Sequence, residues 1–181
     1  GAARNAMTVD VEDYFQVSAF ENHVQRDSWE RTETRVEASV DRILELFDAH
    51  SVRATFFTLG WIAERHPAMV RRIVGGGHEL ASHGWQHTRV TEQTPDEFRD
   101  DVRRTRKTLE DIGGVGVRGY RAASYSINST NLWAHDVLAD EGYAYSSSIA
   151  PLRHDLYGMP EAPRFAFDTA NGRLREIPVT T

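Results

Sequence analysis

Residues 53–82, with the sequence RATFFTLGWIAERHPAMVRRIVGGGHELAS, predict a strand, a helix and a second strand in succession. The run 53–59 is rich in aromatic and β-branched residues and ends at Gly60, and a helical pattern over 67–74 stops at three glycines. Residues 79–82 then form a short apolar strand. Strands joined in this way through a helix lie parallel in one sheet. The stretch therefore indicates an α/β fold.

The same alternation continues on both sides of this stretch. Further strands are predicted at 6–11, 117–121, 143–147 and 174–179, and helices at 35–49, 95–112 and 129–141. The helix at 95–112 has the clearest signals, because Thr94 and Glu97 form a capping box and Gly113 and Gly114 close the run. The repeated order predicts a parallel sheet with helical crossovers. In such sheets the loops that follow the strands converge on one edge, where the chemistry is carried out.

The composition is that of one folded domain, and we treat residues 1–181 as a single unit. The chain has 21 Lys and Arg against 27 Asp and Glu, and this net charge of −6 argues against a nucleic-acid partner. Because there is no cysteine, disulfides, thiolate zinc sites and thiol nucleophiles are excluded. No apolar run is long enough for a transmembrane segment, and the start of the chain has no apolar leader, which favours the cytoplasm.

Three acidic residues, Asp10, Glu12 and Asp13, stand at the end of the first predicted strand. Carboxylates this close together repel one another and lose hydration unless cations or hydrogen-bond donors face them. The cluster therefore predicts a positive partner nearby. A solvated acidic turn, or an acidic N-cap for a following helix, is the alternative interpretation.

Two imidazoles, those of His83 and His87, follow the strand at 79–82 and are four residues apart. This spacing places both on one face if the segment is helical, and neutral imidazoles are ligands that suit zinc. The alternative is that the pair caps a helix or packs in the core.

Two histidines and one carboxylate form the open ligand set of a catalytic zinc ion, which leaves a position for water. A second carboxylate is then available as the base, and we assign that role to Asp10. Glu12 lies on the same side of an extended strand as Asp10, whereas Asp13 would require a bend. The sequence favours Glu12 as the acidic ligand and leaves Asp13 as the second candidate.

Arg121 and Ser124 lie just after the predicted strand at 117–121. Arg121 is placed to pair with Asp10 and keep it ionised and oriented. A backbone N–H near Ser124 is placed to face a developing oxyanion. An ordinary salt bridge at the edge of the sheet is the alternative role for Arg121.

Several of these stretches resemble the NodB-like polysaccharide deacetylases of carbohydrate esterase family four, over about residues 8–181. Residues 8–15, TVDVEDYF, resemble the first motif of that family, with an Asp-Val-Glu-Asp arrangement in place of consecutive aspartates. Residues 54–60 and 77–87 resemble its second strand and its metal-binding histidine motif. Residues 120–125, YRAASY, are similar to the third motif, with alanines where typical members have prolines.

A closer likeness connects residues 10–17, 146–151 and 154–158 with the subgroup found beside exopolysaccharide gene clusters of the exosortase type. The resemblance implies a distorted (β/α) barrel with fewer than eight strands and a divalent metal of the zinc type. It also implies hydrolysis of the N-acetyl group of an N-acetylhexosamine in a polysaccharide.

Two features depart from the family pattern. Members of the family place a further histidine, in a Leu-x-His or His-Pro-Trp context, as the acid that protonates the leaving amine, and this chain has no such motif. His154 is the remaining candidate for that acid. Residues 177–181 resemble the middle of the catalytic domain, so we expect the barrel to be incomplete and the chain to be a truncated piece of a longer enzyme. Ser146 stands where many relatives carry aspartate.

Two other functions remain open at this point. One is an amide hydrolase on the same scaffold that acts on a small cyclic amide or a peptidoglycan sugar. The other is a carbohydrate-binding or assembly module that keeps the metal and does not turn over. Release of acetate would distinguish the second of these from an enzyme.

Overall fold

The computed structural model describes residues 6–154 and 157–179, and the strands within these residues form one seven-stranded sheet. The strands are β1 (Met7–Val11), β2 (Ala54–Thr58), β3 (Glu79–Ser82), β4 (Gly119–Tyr120), β5 (Tyr145–Ser146), β6 (Phe167–Thr169) and β7 (Leu174–Glu176). The helices are α1 (Val36–Ala49), α2 (Gly60–Arg65), α3 (Pro67–Gly75), α4 (Pro95–Gly113) and α5 (Trp133–Asp140).

The strand order is β1-β2-β3-β4-β5-β7-β6. Neighbouring strands run parallel except β6, which is antiparallel to β7. Among the described residues β1 and β6 form the two edges, so the sheet is open, as in a distorted barrel that does not close. The predicted α/β class with a largely parallel sheet and helical crossovers is confirmed.

Two apolar cores pack against this sheet within the described part of the chain. One core includes Phe15, Trp61 and Met69, and the other includes Phe98 and Leu138. Phe98, Val102 and Leu109 of α4 lie in the second core, and the predicted Thr94 capping box is present at the start of that helix. The polar clusters lie at the carboxyl ends of the strands.

Two elements were not predicted. Gly60 begins α2 instead of only closing β2, and its missing side chain matters, because a Cβ there would lie 2.4 Å from the Trp85 ring. The strand β6 is three residues long, too short to show a two-residue period. Three short 3-10 helices at Tyr14–Gln16, Ser18–Phe20 and Arg26–Arg31 also connect β1 to α1.

Other boundaries differ by a few residues from the sequence prediction. The helix expected at 129–141 begins at Trp133, and the strand expected at 174–179 ends at Glu176. In the described ranges, no helix has the length and apolar character needed to cross a membrane. The start of the chain before residue 6, the pair 155–156 within the subgroup-like stretch 154–158, and residues 180–181 lie outside the described residues.

Candidate metal centre and catalytic groups

The three polar clusters meet at the carboxyl edge of the sheet. Asp10 lies near the end of β1, His83 follows β3 directly, and Arg121 follows β4 directly. Pairing of β4 with β3 continues one residue beyond the strands, because the backbone N–H of Arg121 donates to the carbonyl of Ser82 over 2.9 Å. Parallel pairing thus brings residues more than a hundred positions apart to one site.

Glu12, His83 and His87 form a compact group of possible metal ligands. One ligand atom from each of the three lies within 4.8 Å of the others. The Nε2 atoms of His87 and His83 are 2.9 Å and 3.7 Å from Oε2 of Glu12. Both imidazoles are buried and the carboxylate is largely so, which removes most competing water. These are the two predicted histidines and one of the two predicted acids.

The donor atoms of this group fit a divalent metal. Nδ1–H of His83 donates to the backbone carbonyl of Arg121 over 2.8 Å, so the lone pair of that ring lies on Nε2, which faces Glu12. Oε2 of Glu12 is buried and has no hydrogen-bond partner among the described residues. A buried carboxylate oxygen is rarely left this way, and a cation would satisfy it.

The charge state of Glu12 suits the same role. Burial raises the pKa of this carboxyl group, but the His87 and His83 imidazoles beside it, when they are protonated and no metal is bound, lower that pKa by more, and it ends below its ordinary value. Glu12 is therefore ionised at neutral pH, as a metal ligand must be.

The loop that carries the two histidines is not helical, although their spacing allowed a helix. Gly84 and His87 adopt left-handed backbone conformations, with φ of 77° and 58°. The carboxylate of Asp101, on α4, accepts the backbone N–H of Trp85 over 3.1 Å. Trp85 itself is buried against Gly60 and packs in the core.

Asp13, the second predicted acidic ligand, does not join this group. Its carboxylate is buried and accepts hydrogen bonds from the backbone N–H groups of Tyr14, Arg35 and Val36 over 2.9, 2.7 and 3.1 Å. It is the N-cap of the 3-10 helix Tyr14–Gln16, with a capping box to Gln16. Both oxygens of Asp13 thus accept hydrogen bonds from backbone N–H groups. Asp13 has the capping role that was the alternative interpretation of the acidic cluster.

Asp10 is held by Arg121. Nη1 of Arg121 donates to Oδ1 of Asp10 over 2.8 Å and to Oγ1 of Thr8 over 3.0 Å. Its Nε and Nη2 donate to the carbonyl and the hydroxyl of Ser147 over 3.1 and 3.0 Å, and the guanidinium lies 4.2 Å from the centre of the Phe57 ring. The predicted pair is present, and every arm of the buried guanidinium is engaged. The sequence assigned no role to Thr8 or Ser147.

Ser124 lies in a strained turn, the 3-10 helix Ala123–Tyr125. Ser124 and Tyr125 both have left-handed backbones, with φ of 51° and 47°, which non-glycine residues seldom adopt. Oγ of Ser124 is 2.6 Å from Oγ of Ser18, in the segment that follows β1. Burial, followed by the nearby carboxylate of Asp10, raises the pKa of the Tyr125 phenol, so it stays protonated beside the base.

Aromatic rings extend outward from Tyr125. The Tyr157 ring lies 5.7 Å from the Tyr125 ring, and His154 stacks on Tyr157 at 4.0 Å. His154, the candidate acid, thus lies on the outer end of a row of rings that begins next to Arg121. Trp133, by contrast, packs edge-on against Phe98 and is part of the core.

A cavity of about 400 Å³ opens beside His87. It is formed largely by the segment between β1 and α1, with Phe15, Gln16, Arg26 and Trp29 among its walls. Nε2 of Gln16 and Nε1 of Trp29 are buried donors without a hydrogen-bond partner in the described ranges. The volume lies in the range of small-molecule sites, and the walls combine two aromatic rings with mostly polar side chains.

Comparison with known families places most of the chain in one of them. The sequence model of the polysaccharide deacetylase family matches residues 27–145. The model of a domain of unknown function (DUF3473) matches residues 147–181. The first match includes His83, His87 and Arg121, whereas Asp10 and Glu12 precede it.

Individual relatives share part of their length with this chain. A peptidoglycan-N-acetylglucosamine deacetylase of Bacillus cereus is 33% identical over 94 residues, which are 51% of this chain and 34% of the relative. A chitooligosaccharide deacetylase of a Bradyrhizobium species is 30% identical over 102 residues, or 56% of this chain and 44% of the relative. The chain thus spans less than half the length of these curated relatives.

A solved structure is similar over nearly the whole chain. A protein of Mycobacterium smegmatis, assigned as a polysaccharide deacetylase, has a TM-score of 0.73 and 28% sequence identity. The likeness covers 97% of this chain and 58% of that protein.

Proposed function

The chain belongs to the polysaccharide deacetylase family, and from this premise we propose that it hydrolyses N-acetyl groups on N-acetylhexosamine units of a polysaccharide. The observation that carries the proposal is the convergence of Glu12, His83 and His87 next to an aspartate, Asp10, that a buried arginine holds in place. Amide hydrolysis needs an electrophile for the carbonyl oxygen and a base for water, and these residues supply a place for each.

Glu12, His83 and His87 are the residues that would hold a divalent metal, and we propose zinc, because two imidazoles and one carboxylate form a set that zinc prefers. Such an ion supplies Lewis acidity, which polarises the scissile carbonyl group and makes water more acidic. Asp13 is not part of this set, since its carboxylate caps a 3-10 helix.

Asp10 is the proposed general base, which accepts a proton from the attacking water. Arg121 fixes the direction of this carboxylate through one short hydrogen bond. The backbone N–H of Ser124 is the proposed donor to the oxyanion that forms when water adds to the amide carbonyl. The strained turn at Ser124 and Tyr125 supports this role, because backbone strain is concentrated at functional sites.

The proposed saccharide lies along the carboxyl edge of the sheet and reaches the cavity beside His87. The cavity combines the rings of Phe15 and Trp29 with polar side chains such as Arg26, which suits a sugar ring with its hydroxyl and carbonyl oxygens. We further propose an exopolysaccharide of the exosortase-associated type as the substrate, from the likeness at residues 10–17 and 146–151.

We also propose that residues 1–181 act as a single catalytic domain despite the two family matches. The strand β7 lies in the second matched region. It pairs with β5, whose first residue, Tyr145, is the last residue of the first matched region. One sheet therefore continues across the junction between the matches, and the turn after β5 holds Arg121 through Ser147.

The test is acetate release from N-acetylglucosamine polymers and oligomers, measured with the metal content of each sample. Asp10→Asn should keep the metal and lose turnover, whereas His83→Ala should lose both. A chain that binds the metal but releases no acetate from any polymer, oligomer or peptidoglycan would instead be a carbohydrate-binding module. Release from a small cyclic amide or from peptidoglycan alone would identify an amide hydrolase of the same scaffold with a different substrate.

A further inference from the structure

A buried pair of side chains, a histidine and a glutamate, lies between α5 and β7. Nε2 of His135 is 3.1 Å from Oε2 of Glu176, and the two side chains are 2% and 0% exposed. The other ring nitrogen of His135 lies 3.1 Å from the hydroxyl of Thr169. The catalytic scheme above uses none of these residues. Because a carboxylate without water needs protein partners for both oxygens, its contacts show what it holds in place.

The second oxygen of Glu176 holds the turn that follows β5. Oε1 accepts the backbone N–H groups of Ser148 and Ile149 over 2.8 and 3.0 Å. Two donors from consecutive residues on one charged oxygen form a short, strong clamp. The path of the chain just after β5 thus depends on a side chain from β7.

The turn that follows β5 also binds the side chain of Arg121. Ser147 lies directly before the two clamped residues, and its carbonyl and hydroxyl oxygens accept Nε and Nη2 of Arg121. The third arm of the guanidinium donates to Asp10. A continuous series of hydrogen bonds therefore runs from Glu176 through the backbone at 147–149 and Arg121 to the proposed base.

We propose that Glu176 is a positioning residue for deacetylation, which sets the turn at 147–149 so that Arg121 aims the carboxylate of Asp10. The proposal rests on the function proposed above. It also gives a role to a residue in the segment that matches a domain of unknown function. Glu176 itself is fully buried, so we assign it a positioning role and not direct contact with substrate.

Two substitutions of Glu176 distinguish the effect of its acceptor oxygens from the effect of its side-chain length. Glu176→Met keeps the length and removes both acceptor oxygens, so we expect kcat to fall about 10- to 100-fold, as misplacement of a catalytic group by about 1 Å does. KM and zinc content should stay near the wild-type values. Glu176→Gln keeps one oxygen for the two N–H groups, and its amide can donate to His135, so kcat should stay within about threefold of wild type.

His78→Met is the matched control. Nδ1 of His78 accepts the backbone N–H of Ala54, the first residue of β2, over 3.2 Å. This variant therefore also takes an acceptor from a buried backbone N–H, but at the opposite end of the sheet from the site. It should lower the free energy of unfolding and leave kcat unchanged.

The second readout does not depend on activity. Nε–H of Arg121 is buried and donates to Ser147, so its NMR resonance, assigned by its loss in Arg121→Lys, should exchange slowly with solvent. Glu176→Met should speed that exchange at least about tenfold, since it frees the turn. Glu176→Asp, which withdraws the carboxylate by one methylene, should also speed that exchange. It provides the test if the methionine variant does not fold.

The outcomes are distinct for the two proposals. Unchanged kcat and unchanged exchange of the Arg121 resonance in both Glu176→Asp and any folded Glu176→Met would overturn the positioning role, as would equal effects in His78→Met. Wild-type protein that releases no acetate, but follows the expected exchange pattern, would refute the deacetylase function and leave the effect of Glu176 on Arg121 intact.

Discussion

Nδ1–H of His83 donates a hydrogen bond to the backbone carbonyl of Arg121 over 2.8 Å. The contact joins a proposed metal ligand to the residue that holds the proposed base. It fixes the tautomer of the imidazole, so that Nε2 is free to bind a cation, and it sets the separation between the metal-binding loop and Asp10. The two halves of the site are thus built as one unit, and the predictions below separate their contributions.

Arg121→Lys should lower kcat about 10- to 100-fold and leave zinc content unchanged, because an ammonium group cannot reach Asp10 and Ser147 together. The measurement is steady-state acetate release, with zinc analysis of the same samples. Arg118→Lys, at an exposed position before the same strand, is the control and should behave as wild type. Loss of zinc in Arg121→Lys would show that the arginine acts on the metal centre and not on the base.

Asp13→Asn should lower the free energy of unfolding by about 1–3 kcal/mol, because the amide replaces one acceptor oxygen and leaves a buried backbone N–H without a partner. Urea unfolding measures the change. Asp27→Asn, at an exposed position in the 3-10 helix Arg26–Arg31, should have little effect. A variant as stable as wild type would contradict the capping role of Asp13.

Asp101→Asn should change the pH dependence of stability. Burial raises the pKa of Asp101 from 3.8 to about 6, although the backbone N–H of Trp85 opposes this. The folded state therefore binds this proton more tightly than the unfolded state, and the free energy of unfolding of the wild type falls as pH rises through this interval. At about 1.4 kcal/mol per pKa unit, the loss is up to about 3 kcal/mol.

The asparagine variant lacks this loss, since its side chain does not ionise. Its free energy of unfolding, relative to wild type, should rise by up to about 3 kcal/mol between about pH 4 and pH 7. Unfolding curves of both proteins with a metal chelator present measure the difference. A difference that does not vary with pH would contradict the raised pKa of Asp101.

Arg26→Ala should raise KM for a polymer about 3- to 10-fold with kcat nearly unchanged, if the saccharide reaches the cavity beside His87. The side chain lines that cavity, whereas Asp10 is not among its lining residues. Arg71→Ala, at an exposed position on α3, is the control. An unchanged KM across polymers of different length would place the saccharide elsewhere.

The fold was largely predictable because its signals are local. The capping box at Thr94 and the three glycines after residue 74 are written in consecutive residues, and both mark real helix boundaries. The helix that begins at Gly60 was missed because the reason for this glycine is distant: the ring of Trp85 occupies the space that a side chain would take. Propensity rules read glycine as a terminator and have no access to that contact.

The candidate site was predictable in its residue types and less so in its contacts. The period-two argument placed Glu12 beside Asp10, and the structure shows Glu12 next to the histidines. The same argument could not show that Asp13 meets the backbone of Arg35, since that contact depends on how the 3-10 helices fold back.

The sequence assigned no role to Glu176 or Ser147, although Ser147 lies in the stretch 146–151 that resembles the subgroup. Neither residue type at its position suggests chemistry, and each becomes relevant through strand pairing of β5 with β7. Residues that act on a catalytic group through another residue are brought into place by tertiary structure, and a single sequence does not reveal them.

Zinc titration of the wild type, Glu12→Gln and Asp13→Asn, by calorimetry on chelator-treated protein, tests the central claim most directly. We expect one zinc per chain in the wild type and in Asp13→Asn. The affinity should be at least about 100-fold weaker in Glu12→Gln, because loss of a metal ligand should weaken binding no less than loss of a residue that hydrogen-bonds to a ligand. Zinc binding by Glu12→Gln as tight as in the wild type would contradict a metal centre formed by Glu12, His83 and His87.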